Sequence, residues 1–363
     1  MSSGGGRMML TRRRVLAGTA LTALPGWLLA RGLKADETVL FLPGYARDLQ
    51  PGVIEVNIEA WVFEFERRPG ARLAFTTALG IDMEAAGPEA NEIFAERSRW
   101  FLTDSERGKE LLIRFDGFDS LDAPESLLPA TDRGGRVSAR LRIPAPGDDR
   151  LIRFHTSRDG AEERFEGIAH LVPAEGLSII SDIDDTIKIS NVADTRALLR
   201  GSLTEPFKPT PGMAAFYRRL ARQAGACFHY LSSSPIQLAP ALSGFIRDEA
   251  FPPGSLHLRE STAWNRLLPG ADSTVQHKGA ILRQILTDFP SRRFLLIGDS
   301  GEQDPEIYAE AARSHPDRDI TILIREVAGS DLSPIRLDAA FAGTTARWHL
   351  IPESGPEEGW SPL

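Results

Sequence analysis

Leu177-Ser178-Ile179-Ile180-Ser181-Asp182-Ile183-Asp184-Asp185-Thr186-Ile187-Lys188-Ile189-Ser190 is the stretch on which the reading of this chain turns. The apolar run 177–180 breaks abruptly into acids. Such a run suits a fully buried strand of a parallel sheet. Open α/β sheets bind ligands beyond the carboxyl ends of their strands, where Asp182, Asp184 and Asp185 would stand. Crowded carboxylates repel one another and raise at least one pKa. A divalent cation offsets that cost, as does chemistry that needs one charged and one protonated carboxyl. Taken alone, the same pattern also fits a surface acidic turn.

Downstream, strands alternate with helices. Residues 211–225 read as a helix with Thr210 as cap, Pro211 in the first turn and Gly225 at the exit. Met213, Phe216, Tyr217 and Leu220 form its apolar stripe. Buried strands are expected at 226–231, 294–297 and 320–324. A helix striped by Ile281, Leu282, Ile285, Leu286 and Phe289 is expected to begin near Lys278. This alternation predicts a Rossmann-like α/β domain over 171–350, a parallel sheet with helices on both faces. The Pro-, Gly- and Glu-rich tail 351–363 reads as disordered.

Upstream, 36–170 reads as a separate, mostly β, sandwich-like domain. Residues 53–62 alternate with period two and place Ile54, Val56, Ile58 and Ala60 on one face. Strands are also expected at 110–115, 137–143 and 151–155, a helix at 85–101 and a loop at 130–135. Ser138, Arg140 and Arg142 should face water. No catalytic cluster shows in this half.

The chain has 363 residues and a net charge of −8. The first 34 carry six Lys/Arg and no acids, so the rest sums to 36 minus 50, or −14. Such acidity disfavours nucleic acid as a partner. The single cysteine, Cys227, excludes an internal disulfide and reads as a small core residue. Thr11-Arg12-Arg13-Arg14-Val15-Leu16 followed by a modest apolar stretch matches a twin-arginine signal over 1–35. The twin-arginine export machinery is then a partner and the periplasm the destination, at the inner membrane if the signal stays uncleaved. No A-x-A cleavage site is visible before Asp36.

Three expected strands end in polar groups: Asp182 and Asp184, Ser232, and Asp299. Lys278 precedes the third. Phosphoryl transfer needs such a set, because its catalysis is mostly positioning and charge neutralisation. With D-I-D-D-T at 182–186, Ser232, Lys278 and G-D-S-G-E-Q-D at 298–304, the chain resembles the haloacid dehalogenase superfamily of phosphatases. The segments at 181–190, 228–235, 277–279 and 296–308 are similar to the catalytic domain of the actin-patch-type phosphatidate phosphatases, over about 165–330. Phe41-Leu42-Pro43-Gly44-Tyr45 is more weakly similar to the upstream region of bacterial relatives.

The resemblance implies the following roles. Asp182 is the nucleophile that forms an aspartyl-phosphate, and Asp184 the general acid and base. Mg2+ is held by Asp182, the backbone carbonyl of Asp184, Asp299 and, through water, Asp304. Ser232 and Lys278 hold phosphoryl oxygens, and Thr186 and Ser233 are further substrate-binding candidates. The implied substrate is phosphatidate, giving diacylglycerol, with peripheral membrane contact. On the residues alone Asp304 reads equally as a cap of the following helix, Ser232 as a turn residue, and Asp185 and Thr186 as loop supports. The gaps between motifs, about 50 and 45 residues, leave little or no room for a cap domain. A broad-range soluble phosphomonoesterase and a non-catalytic phospholipid-binding module are the alternatives. Gly298-Asp299-Ser300-Gly301 also resembles a serine-protease nucleophile loop, but it follows a strand of an alternating α/β region and lacks that context.

Overall fold

Alternating side chains in the central strands build the second half of the chain. In a computed structural model, which describes residues 32–65, 69–118, 123–147, 149–158, 162–190, 195–259 and 271–362, strand β10 (Gly176–Asp182) sends Leu177 and Ile179 into one core and Ile180 into another. Strand β13 (Arg292–Asp299) divides Leu295 and Ile297 from Phe294 and Leu296 in the same way. Strands buried on both faces need cover on both. Helices α4 (Met213–Ala224) and α5 (Ala239–Asp248) cover the first face. Helices α6 (Ala271–Asp288), α7 (Asp304–Arg313) and α8 (Pro334–Phe341) cover the second. With β11 (Cys227–Pro235), β12 (Gly254–Arg259), β14 (Ile320–Arg325) and β15 (Arg347–Ile351), the sheet runs β12-β11-β10-β13-β14-β15, every pair parallel. Since β11 and β13 both flank β10, the ends bearing Asp182, Ser232 and Asp299 adjoin. Between β10 and β11 lie α3 (Thr195–Thr204) and α4, with no further sheet among the described residues.

The first half differs from a two-sheet sandwich. Its strands β1 (Glu37–Leu42), β2 (Gly44–Gln50), β3 (Val53–Phe65), β4 (Thr103–Ser105), β5 (Leu112–Phe115), β6 (Glu125–Leu127), β7 (Arg136–Pro144), β8 (Leu151–Ser157) and β9 (Arg164–Val172) form one nine-stranded sheet. The cause is β3, whose length takes β2 along Val53–Val56 and β1 along Glu59–Glu64 on one side and β7 on the other. The chain passes from β1 to β2 at Gly44, where a Cβ would lie 2.3 Å from the Asn57 carbonyl oxygen. The sheet then folds over, so that Ile54, Val56, Ile58 and Ala60 share a core with Ile113 and Phe154. The β2–β9 pair is parallel.

The two halves also share a core. Helix α2 (Gly87–Ser98) and the 3-10 turn Arg99–Phe101 occupy the expected helical stretch, and α1 (Ala71–Leu79) precedes them. Phe75, Phe94 and Phe101 join the cluster of Phe216 and Leu242. Arg140, on an otherwise solvated strand face, donates two hydrogen bonds to the buried Asp288 at 2.8 and 2.9 Å. Tyr45 Oη donates to the same carboxylate at 2.5 Å.

Two local expectations are corrected. Helix α4 starts at Met213 after Gly212 at φ 72, and Thr210 instead donates from Oγ1 to the Thr186 carbonyl at 2.8 Å. The tail after Ile351 is ordered over 352–362. The Trp360 ring lies 5.8 Å from that of Phe216 and its carbonyl accepts from Arg219. One aromatic anchor thus outweighs a composition that reads as disordered. The twin-arginine stretch at 11–16 lies outside the described residues.

Two buried histidines and the half-buried His277 make the fold sensitive to acid. Burial, before any neighbouring cation, holds His229 well below its ordinary 6.5 and His257 at about 3. Both stay neutral in the folded chain while the unfolded chain takes up protons, so stability is full above pH 6.5 and falls below it. His257 alone should cost about 2 kcal/mol between pH 8 and pH 5, with His229 and His277 adding in the same direction. Urea unfolding at the two pH values checks this; equal midpoints would contradict it.

Candidate active site

The loop after β10 is pinned by its own backbone. Asp185 sits at φ 51, its amide donates to Lys188 O at 2.7 Å, and its Oδ1 accepts from Ser190 N at 2.7 Å. Ile183 and Ile187 are fully buried beneath. From across the sheet Arg325, the last residue of β14, donates to the Asp185 carbonyl at 2.8 Å. This turn leaves Asp182 and Asp184 pointing into different surroundings.

Asp182 faces a buried lysine. Lys278 Nζ lies 2.7 Å from Asp182 Oδ1, 2.7 Å from Asp304 Oδ1 and 2.9 Å from Glu302 Oε2, with no exposure of its own side chain. Thr186 Oγ1 donates to Asp182 Oδ2 at 3.2 Å. Asp299, from the end of β13, accepts the amides of Gly301 and Glu302 on Oδ1 at 2.7 and 3.0 Å. Its amide donates to Asp304 Oδ2 at 3.2 Å. Four carboxyl groups therefore surround one cation. Burial first, then the neighbouring acids, pushes the Asp299 carboxyl well above the usual carboxylate range. Burial does the same to Asp182, against the opposing pull of Lys278. Burial alone would lower Lys278, but Asp182, Asp304 and Glu302 hold it well above its ordinary value.

Asp184 has the opposite environment. Its Oδ1 accepts from Lys188 Nζ and Ser190 Oγ, both at 2.7 Å, and its Oδ2 from Ser232 and Ser234 Oγ, both at 3.0 Å. Burial would raise it, yet Lys188 and the serines outweigh burial and bring it down to about 2. Neither Lys188, Ser190 and Ser234 nor Glu302 stands out in the sequence. Lys188 stands four residues after Asp184, and Glu302 lies inside the 298–304 motif, but neither spacing declares a contact.

Two sequence expectations change, for Lys278 and Asp304. Lys278 lies inside α6, not at its start, so it reaches the cluster from a helix already fixed by packing. Asp304 does not cap α7, whose cap residue is Gln303; both its carboxylate oxygens are turned to Lys278 and Asp299. The Asp184 carboxylate lies outside the Asp182, Asp299 and Asp304 group; the resemblance implied only its backbone carbonyl as a metal ligand. Ser232 bonds Asp184, and Ser233 Oγ is buried without a hydrogen-bond partner among the described residues. Ser300, of the protease-like run, is taken up by Ser330 Oγ and the Val327 amide.

The cluster suits a hard divalent cation. Asp182, Asp299 and Asp304 each offer an oxygen within 4.8 Å of the others, and Asp299 Oδ2 is buried with no hydrogen-bond partner among the described residues. Oxygen donors of this charge fit Mg2+. Gly298 makes room for the Asp304 side chain: a Cβ there would lie 2.3 Å from Asp304 Oδ2 and 2.6 Å from Asp304 Cβ. Gly298→Ala should push Asp304 off Lys278, cost about 1–3 kcal/mol and weaken divalent-cation binding. Calorimetric titration with MgCl2 and a urea melt check this; unchanged values for both would show that Asp304 is free to move aside.

The fold and site together define a parallel α/β sheet with a carboxylate cluster around the buried Lys278 at the carboxyl ends of its central strands. Residues 177–326 match the family model described as Phosphatidate phosphatase APP1, catalytic domain. Over 160 residues, 43% of this chain, it is 36% identical to Phosphatidate phosphatase APP1 of Saccharomyces cerevisiae. Over 177 residues, 47% of this chain, it is 33% identical to an uncharacterized protein of Schizosaccharomyces pombe. These alignments span 27% and 29% of the relatives' own lengths. A structure of a phospho-aspartyl intermediate analogue of phosphoserine phosphatase aligns with 50% of this chain and 95% of its own, at 12% identity and a TM-score of 0.32, a likeness too slight to bear on the fold.

Proposed function

We propose that this chain is a magnesium-dependent phosphatase of the haloacid dehalogenase type that hydrolyses a phosphomonoester through an aspartyl-phosphate on Asp182, with phosphatidate as substrate and diacylglycerol as product. The observation that carries the reading is the pairing of Asp182 with Lys278 inside an acidic cluster, within the segment matched by the phosphatase family model. An Asp182 oxygen attacks phosphorus and the bond to the leaving oxygen breaks. Lys278 orients the nucleophile and is placed to meet phosphoryl oxygens once they arrive. Asp182, Asp299, Asp304 and the Asp184 carbonyl would hold magnesium, which would supply charge neutralisation at the phosphoryl group. Water then attacks the aspartyl-phosphate, gives its proton to a base and releases inorganic phosphate.

Asp184, with its carboxyl at about 2, is ready to accept that proton. Donating one to the leaving oxygen requires the carboxylate to turn out of its contact with Lys188 and Ser190. Ser232 sits on Asp184 here and would turn with it toward the phosphoryl group.

No described helix is long and apolar enough to cross a membrane. The test is phosphate release from phosphatidate in mixed micelles beside a soluble aryl phosphate, with and without magnesium. Release that favours the lipid and needs magnesium supports the reading. Release from the soluble ester alone keeps the chemistry and removes the lipid; none from either leaves a binding module. Twin-arginine export to the periplasm is proposed from residues 11–16 alone, and cell fractionation of the Arg12→Lys, Arg13→Lys double variant tests it.

A further inference from the structure

The surroundings of Asp184 are not built by the second half of the chain alone. Arg97, in the last turn of α2, donates from Nη1 to the Ser202 carbonyl at 2.7 Å and to the Glu205 carbonyl at 2.9 Å. Both carbonyls lie at the C-terminal end of α3, where a helix leaves acceptors unpaired. The same guanidinium lies over the Phe207 ring, with Cζ 3.8 Å from its centroid.

Phe207 belongs to a segment that runs beside the loop after β10. Ile189 N donates to Lys208 O and Thr210 N to Ile187 O, both at 2.9 Å. The Phe207 ring also meets Phe245 of α5 edge-on, at 5.9 Å between centroids. It carries a second cation, since Lys188 Nζ lies 4.9 Å from its centroid. That ammonium is the one that meets Asp184 Oδ1 at 2.7 Å, and it contacts Ser190 Oγ as well. Arg97, Phe207, Lys188 and Asp184 thus form a continuous line of contact from α2 to the Asp184 carboxylate.

Each link supplies something the loop lacks. The tight turn fixes where the Lys188 side chain starts but not where its four-carbon stem ends, and such a stem has much rotamer freedom to lose. A cavity of about 130 Å3 lined by Lys188, Ser190, Ser202 and Phe207 lies alongside, so the ammonium has room to leave Asp184. The negative face of the aromatic ring gives the cation a resting place instead. Arg97 in turn holds that ring and ties it to the end of α3.

We propose that Arg97 and Phe207 are positioning residues for acid–base catalysis: they hold Lys188, and Lys188 holds the Asp184 carboxylate at the place from which it turns to the leaving oxygen. The proposal rests on the phosphatase reading, in which Asp184 gives a proton to the leaving oxygen as the P–O bond breaks and takes one back from the attacking water. It gives the first half of the chain, which lies outside the matched residues 177–326, a part in the chemistry.

The test compares Phe207→Leu and Arg97→Gln with the parent on two kinds of ester. Phosphatidate in mixed micelles and soluble hexyl phosphate release an alkoxide, which needs a proton to leave. 4-Nitrophenyl phosphate releases a stabilised phenoxide, which does not. A displaced acid should lower kcat/KM for the alkyl esters about tenfold in each variant, through kcat at unchanged KM, and for 4-nitrophenyl phosphate less than about twofold. Phe207→Tyr keeps the ring face and should restore turnover of the alkyl esters to within about twofold of the parent. For a parent that acts on the lipid alone, that restoration at unchanged KM decides. An equal loss on both kinds of ester, a loss that Phe207→Tyr does not restore, or no loss in either variant overturns the proposal and leaves the phosphatase reading standing. A parent that releases phosphate from none of the three esters removes that reading and this proposal with it.

Discussion

Asp182→Asn is expected to lower phosphate release by about 10^4-fold or more, because an amide cannot form the phosphorylated intermediate and no neighbouring carboxylate stands in its place. The change keeps the shape of the side chain. It also removes one negative charge from a cluster of four carboxyl groups around one lysine, in which burial and the acids already push Asp182 upward. Folding should therefore survive, with a urea midpoint no lower than the parent's. The variant should also fail to yield the hydroxylamine-labile phosphoprotein that the parent gives when quenched in acid. Parental turnover in the variant, with the fold intact, would remove Asp182 as nucleophile.

Lys278→Met should be the most destabilising single change in the site. Its ammonium is fully buried and contacts three carboxylates at 2.7, 2.7 and 2.9 Å. Methionine fills similar volume but leaves those acids uncompensated, which costs about 3–5 kcal/mol. The deficit should depend on pH with a definite sign. Lys278 is the charge that opposes the upward shifts of Asp182 and Asp299. Without it both carboxyls bind protons still more tightly in the folded chain than in the unfolded one. Their protonation then supports the folded state at low pH, and that support is lost as the pH rises through their folded values. The gap between variant and parent should thus be widest near pH 8, narrower near pH 5.5, and narrowed again by millimolar magnesium. Urea unfolding of both proteins under these conditions measures it. A gap that ignores pH and magnesium would mean that Lys278 acts by packing alone.

Much of the site is legible in the order of residues. Asp182 and Asp299 end apolar runs, and where a run of buried-strand character stops in an acid, that acid stands at the carboxyl edge of a parallel sheet. The helices are legible for the same local reason, since Met213, Phe216, Tyr217 and Leu220 repeat at helical spacing and all are buried. Local signals mislead where they meet a distant partner. The tail reads as unstructured by composition, yet Trp360 finds Phe216. Arg140 reads as a solvated strand residue, yet its guanidinium meets Asp288, 148 residues away.

Residue order by itself determined the alternation of strand and helix, the acids at the strand ends and the kind of chemistry they suit, because hydrophobic period and strand termination are properties of neighbouring residues. Only the folded chain decided which carboxylate each cation meets. Lys188 takes Asp184 across a tight turn, Lys278 takes Asp182 from 96 residues away, and Arg140 is carried to Asp288 by a different sheet. A charge pair depends on where separate segments come to rest, and that position is set by the packing of the whole core.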